Sequence, residues 1–138
     1  MRLPLLLSTL LALGACASPL PPPSPDKAWV DLWASGSELL MAHKLDDRRV
    51  DDGRFFEVVP GAHELEVRYQ FELTHGPVAS FSEPRQVTCY LRVRHDGFVA
   101  GQRYRFEARP QQLKAQGWLY DDQRNLLARA QVVRCGTF

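Results

Sequence analysis

Apolar and polar residues alternate one for one through Glu64–Leu73, where Leu65, Val67, Tyr69, Phe71 and Leu73 are separated by Glu66, Arg68, Gln70 and Glu72. A period of two held this long describes a strand with one buried and one wet face, because a helix would scatter the same apolar side chains around its axis. Pro60-Gly61 divides this strand from the apolar run Phe55–Val59, so the two halves form a hairpin or a tight arch. The alternation recurs at Val87, Cys89, Leu91 and Val93, set between Thr88, Tyr90, Arg92 and Arg94, and again at Tyr104, Phe106 and Ala108 between Arg103, Arg105, Glu107 and Arg109. His95-Asp96-Gly97 reads as a tight turn between these two strands and Pro110 as the end of the second.

The remaining elements are shorter. Ala28–Ala34 and Leu39–Leu45 are expected strands, although Glu38, Leu39, Leu40, Met41 and Ala42 are acceptable helix formers and leave a short helix over Ser37–Leu45 open. Asp46-Asp47 and Asp51-Asp52-Gly53 are turn signals flanking Arg48-Arg49-Val50, which suggests a hairpin with a charged tip. Thr74–Pro84 reads as a loop and Gln111–Gly117 as a loop or one helical turn. Trp118–Tyr120 is then a short strand, Asp121–Asn125 its turn and Leu126–Val133 the closing strand. The expected fold class is all-β, an antiparallel sandwich of about seven or eight strands or a partly closed barrel.

The N-terminus departs from this pattern. Arg2 precedes an apolar segment, Leu3–Leu13, and then Leu13-Gly14-Ala15-Cys16, the layout of a secretory signal ending in small residues. The apolar stretch is far short of the roughly 20 residues that span a bilayer. The Leu-Gly-Ala-Cys run resembles the lipobox of bacterial lipoproteins. That resemblance implies removal of residues 1–15, a diacylglycerol thioether and an acylated amino group on Cys16, and stable anchoring by several chains. Ala17 in place of aspartate implies the periplasmic leaflet of the outer membrane. Residues 16–27 then form a lipidated tether, in which Ser18–Pro25 holds five prolines in eight residues, an extended spacer that holds the domain clear of the headgroups. Residues 28–138 form the domain.

Loss of the leader removes Arg2 and leaves 16 basic against 16 acidic side chains. This balance gives no electrostatic reason to expect nucleic acid. With Cys16 committed to lipid, Cys89 and Cys135 are left in an oxidising compartment and are expected to form a disulfide. Cys135 lies out of phase with Ala128, Ala130 and Val132, so the pairing calls for a bulge near Arg134 or a chain that has already left the sheet. No C-x-x-C motif marks a redox centre. His43, His63, His75 and His95 lack metal-ligand spacing, and Asp46, Asp47, Asp51 and Asp52 lack the EF-hand pattern. No catalytic residue, metal or cofactor is therefore assigned, and a hydrogen bond fixing the turn is the expected role of His63.

The candidate binding face is Tyr90, Arg92, Arg94, Arg103, Arg105 and Arg109, outward positions on two successive strands. If those strands pair they display one arginine-rich surface, suited either to plain solvation or to bidentate recognition of carboxylate or phosphate. Val59-Pro60-Gly61-Ala62-His63-Glu64-Leu65-Glu66-Val67 resembles the Pro-Gly-x-His-x-Leu-x-Val pattern of PEGA-like domains, with Pro60, Gly61, His63, Leu65 and Val67 in the matching places. The resemblance implies a compact β-sandwich on an envelope protein with a structural or binding role. The functional expectation is a lipid-anchored envelope protein that binds a protein or an anionic envelope polymer, or supports an assembly. An enzyme acting on an envelope polymer and a small-ligand carrier are the alternatives.

Overall fold

The structure is a computed structural model and describes residues 18–73 and 84–137. The strands run β1 Ala28–Trp33, β2 Leu39–Leu45, β3 Arg48–Arg49, β4 Phe55–Val58, β5 Gly61–Leu73, β6 Arg85–Phe98, β7 Arg103–Gln111, β8 Lys114–Tyr120, β9 Leu126–Arg129 and β10 Gln131–Gly136. They form two five-stranded sheets, ordered β4-β1-β7-β8-β9 and β10-β6-β5-β2-β3, with no closed barrel. The fold is an all-β sandwich with no helix among the described residues, and Leu39–Leu45 is a strand. Every pairing is antiparallel except β1 with β7, which run parallel.

The core follows from the period of two. Leu65, Val67, Tyr69 and Phe71 of β5 face inward with Val87, Cys89, Leu91 and Val93 of β6, all almost fully buried. They meet Val30, Phe56, Val58, Phe106 and Leu119 of the other sheet. Tyr69 brings a hydroxyl into this interior and donates it to Glu38 Oε2 at 2.6 Å. Burial, together with that bond, pushes the Tyr69 phenol well above its ordinary pKa.

Pro60-Gly61 is an arch, because β4 belongs to the first sheet and β5 to the second. Gly61 has φ of 113°, a conformation that side chains disfavour. Asp46 and Asp47 have φ of 48° and 66° in the two-residue loop between Leu45 and Arg48, the geometry of a type I′ hairpin turn. Asp46 also binds the start of β5, accepting from Glu64 N at 2.9 Å and pairing with His63 Nδ1 at 2.5 Å.

Four expectations need correction. His95-Asp96-Gly97 is not a turn: β6 continues to Phe98, because β5 offers it a partner as far as Gly61 and a shift between Gly61 and His63 absorbs the extra residue. Pro110 does not stop β7. The pairing of β1 with β7 ends at Glu107, so one side of β7 is open at Pro110 and a missing N–H is tolerated there. Gln111–Gly117 is accordingly no loop, since β7 turns into β8 through Gln112, at φ 53°, and Leu113. Gly117 lies within β8, where a Cβ would overlap the Phe106 ring. The closing strand is two, β9 in the first sheet and β10 in the second, with Ala130 between them.

That crossover carries Cys135 to the position opposite Cys89, and the two form a disulfide across a Cα separation of 4.1 Å. The phase mismatch is taken up by a register shift between Val132 and Arg134. The expected Thr74–Pro84 loop falls almost wholly outside the described residues, as do the leader and Cys16. The proline-rich segment that follows lies back on the domain: Arg54 Nη1 donates to the Ser18 carbonyl at 2.7 Å and Ser24 N donates to Glu57 Oε1 at 3.2 Å.

Replacing both Cys89 and Cys135 with alanine is expected to lower the unfolding free energy by roughly 2–5 kcal/mol, because the bridge closes a long loop. Urea unfolding of the oxidised wild type and the double variant measures this. An unchanged midpoint would show that the sheets hold without the crosslink.

Candidate functional site

The six residues of the expected arginine face do not share a surface. Tyr90, Arg92 and Arg94 lie on β6, which pairs with β5 and β10, whereas Arg103, Arg105 and Arg109 lie on β7, which pairs with β1 and β8. The segment between Phe98 and Arg103 crosses from one sheet to the other, so outward residues on the two strands face opposite sides of the sandwich.

On the second sheet the arginines are largely engaged. Arg92 Nη2 donates to Glu66 Oε2 at 2.9 Å and its Nε lies 3.2 Å from Glu64 Oε1. The other oxygen of Glu66 meets His43 Nδ1 at 2.9 Å. Glu66 is 6% exposed. Burial raises its carboxyl, but the bonds from Arg92 and His43 prevail and hold it below the ordinary carboxylate range. Tyr90 lies between the His43 ring, 4.9 Å away, and the Arg134 guanidinium, 4.6 Å from its centroid. Arg94 pairs with Asp96 at 3.2 Å in solvent, a contact of little energetic weight.

The outer face of the first sheet is different in kind. All three tryptophans of the chain stand there, at outward positions: Trp29 and Trp33 on β1 and Trp118 on β8. The register places Trp33, Glu107, Trp118 and Arg129 in one row across β1, β7, β8 and β9, and Asp31, Arg105 and Tyr120 in the neighbouring row. At one end Phe55 stacks on Trp29 with centroids 4.1 Å apart. Asp31 accepts from Trp29 Nε1 at 2.9 Å and from Arg103 at 2.6 and 3.0 Å. The Arg103 bond is the main reason the Asp31 carboxyl is held below its usual range.

In the middle, Glu107 is only 3% exposed. Arg105 Nε and Arg124 Nη2 approach its Oε1 at 3.2 and 3.3 Å, so a carboxylate that would be costly alone is compensated twice. The same guanidiniums sit over aromatic rings, Arg105 at 5.2 Å from the Trp33 centroid and Arg124 at 5.7 Å from that of Tyr120. Trp33 remains 38% exposed. Arg109 and Arg129 are exposed, and neither has an ion-pair partner among the described residues.

The reading of the arginines thus found half of this surface and missed its aromatic half. The signal was present: Trp29 and Trp33, four apart, and Trp118 and Tyr120, two apart, fall in the phase opposite to Ala28 and Val30 or to Ala115 and Leu119. The aspartate cluster is divided among other tasks. Asp46 serves His63 and Glu64, Asp47 lies 3.7 Å from Lys44, and Asp52 is held down to about 2 by bonds from Arg54. Among the described residues no group of three or more His, Cys, Asp or Glu side chains could hold a metal ion.

The direction of the Glu66 shift sets a pH dependence. A carboxyl lowered in the folded state stabilises the fold above its ordinary value of 4.5, and that contribution disappears as the pH falls through the lowered value. Glu66→Gln is therefore expected to lower the melting temperature at pH 7, with the gap to wild type narrowing below about pH 4. Melting curves across this range measure it, and a gap that stays constant would refute the assignment.

Comparison with known proteins finds no matching family model, no similar curated protein and no similar solved structure.

Proposed function

We propose that this chain is a lipid-anchored protein of the bacterial cell envelope, held through Cys16 on the periplasmic leaflet of the outer membrane. It binds an envelope protein or polymer with the outer face of its first sheet. The observation that carries the binding role is the gathering of Trp33, Trp118 and Tyr120, with Arg103, Arg105, Arg109, Arg124 and Arg129, on that one face. Tryptophan, tyrosine and arginine are the residues that dominate binding energy where proteins meet their partners. The anchoring rests on the leader and on Leu13-Gly14-Ala15-Cys16. A carrier role is disfavoured by the space between the sheets, which is filled by fully buried side chains including Tyr69, Phe56 and Phe106.

The fold-back of residues 18–24 supports a particular attachment. Ser18 is bonded to Arg54, so a lipid on Cys16 draws the Arg54 corner toward the membrane rather than leaving the domain on a free spacer. Arg54 also grips Asp52 through its Nε and Nη2, which ties the tether to the loop before β4.

Mass spectrometry of the mature protein from membranes is expected to show a diacylglyceryl, N-acylated Cys16 as the first residue, and an unmodified Cys16 would overturn the anchoring. For the binding face, intact lipidated protein in detergent is sedimented with envelope fragments. Trp33→Ala/Trp118→Ala is expected to weaken retention on the order of tenfold, equivalent to about 1.4 kcal/mol, while Arg94→Glu on the opposite face leaves it unchanged. Full retention of the tryptophan variant would overturn the role of this face.

A further inference from the structure

Resting on that reading of the first sheet, we infer that its outer face accommodates a linear polysaccharide bearing carboxylates, laid across the strands along the row of Trp33, Glu107, Trp118 and Arg129. Trp33 and Trp118 are each one strand away from Glu107. Two strand spacings separate them by about 10 Å, close to the length of one disaccharide. Sugar rings at alternate positions along a strand of glycan therefore meet successive tryptophans.

The chemistry of the row matches that ligand. One side of a pyranose ring is lined with C–H bonds and packs on the electron-rich face of an aromatic ring, while its hydroxyls require polar neighbours. Arg105 braces the Trp33 ring, so this platform is ordered before a ligand arrives and little freedom is lost on binding. Between the tryptophans lies the ion cluster of Glu107, Arg105 and Arg124. A protein partner favours an interface centre depleted of charge, whereas a hydroxylated ligand accepts a charged centre flanked by aromatic rings.

The charge distribution specifies an acidic glycan. Asp31 and Glu107 are already neutralised by Arg103, Arg105 and Arg124. Arg109 and Arg129 stand exposed beside the row with no carboxylate partner among the described residues. Arg129 and Trp118 also line a groove of about 230 Å³ with Gln116 and Gly117. A guanidinium beside an aromatic platform binds a carboxylate in bidentate fashion while the sugar that bears it stacks.

Trp33 and Trp118 stand in the row itself while Trp29 is only 3% exposed, so a change in intrinsic fluorescence reports on the two proposed platforms. Intact lipidated protein in detergent is titrated with protease-treated soluble cell-wall glycan fragments that retain their carboxylates, with neutral chitooligosaccharides of the same length, and with polyglutamate. The expected result is a tryptophan emission change with the acidic glycan, affinity on the order of tenfold weaker for the neutral one, and no change with polyglutamate. Followed by calorimetry, because the first two substitutions remove the reporting rings, Trp33→Phe/Trp118→Phe retains binding, Trp33→Ala/Trp118→Ala loses it, and Arg109→Glu/Arg129→Glu reduces affinity for the acidic glycan to that for the neutral one. Equal affinity for polyglutamate overturns the inference in favour of simple anion binding, and equal affinity for both glycans overturns its acidic part. Absence of binding to either glycan, with envelope retention still dependent on Trp33 and Trp118, overturns it in favour of a protein partner and leaves the binding role of the face intact. Loss of that dependence as well removes both.

Discussion

The pairing of β5 with β6 is the constraint on which the rest of this sandwich depends. These are the two longest strands among the described residues, in one register from His63↔His95 to Leu73↔Arg85, and between them they supply most of the inward side chains of the second sheet. Because side chains alternate strictly, this register decides at once which residues are buried and which face solvent. A slip by one position would bury Glu64, Glu66 and Arg92 and expose Leu65, Val67 and Leu91. The core is therefore specified as a whole. The disulfide extends this register one strand further, since Cys89 lies opposite Tyr69 on one side and opposite Cys135 on the other.

The two outer faces of the sandwich show what the alternation leaves free. On the second sheet, polar positions are closed against one another: Arg92, Glu64, Glu66 and His43 form a connected set around a nearly buried carboxylate. Such a network aligns β2, β5 and β6 and leaves Arg92 little capacity for an external anion. On the first sheet, the guanidiniums also find carboxylates, yet they remain over tryptophan and tyrosine rings. Glu107, buried beneath Arg105 and Arg124, draws both guanidiniums to the middle of the face. A surface assembled from rigid rings and braced guanidiniums loses little entropy on contact, which is why this face and not the other is read as the contact surface.

The attachment of the tether ties this arrangement to the envelope reading. Polyproline segments are stiff, and this one is held at both Ser18 and Ser24 along the edge that β4 presents. On the proposed lipid anchoring, the N-terminus orients the sandwich instead of merely retaining it. The first-sheet face begins at β4, so the tether and the aromatic surface share one edge of the molecule.

Much of the fold was legible from the pattern of residues, because a period of two is a local property: Leu65 to Leu73 and Val87 to Val93 announce both their strands and their buried faces. Turn chemistry was equally local at Asp46-Asp47. It misled at His95-Asp96-Gly97 and Pro110, where a long partner strand and an unpaired strand side overrode the propensities of the residues themselves. The Cys89–Cys135 pair could be expected by elimination, yet the bulge that brings it into phase and the crossing at Ala130 depend on where β10 finds its partner. The candidate site shows the same division. Arg103, Arg105 and Arg109 were visible as an outward row, as were Tyr90, Arg92 and Arg94. Whether the two rows met was a question of sheet membership, which no local pattern encodes. The sequence by itself determined that this chain builds strands with one apolar and one polar side, and which side chains belong to each. Only the tertiary structure decided which strands are neighbours, and so placed Trp33, Glu107, Trp118 and Arg129 in a single row, because strand order is set by contacts between residues far apart in the chain.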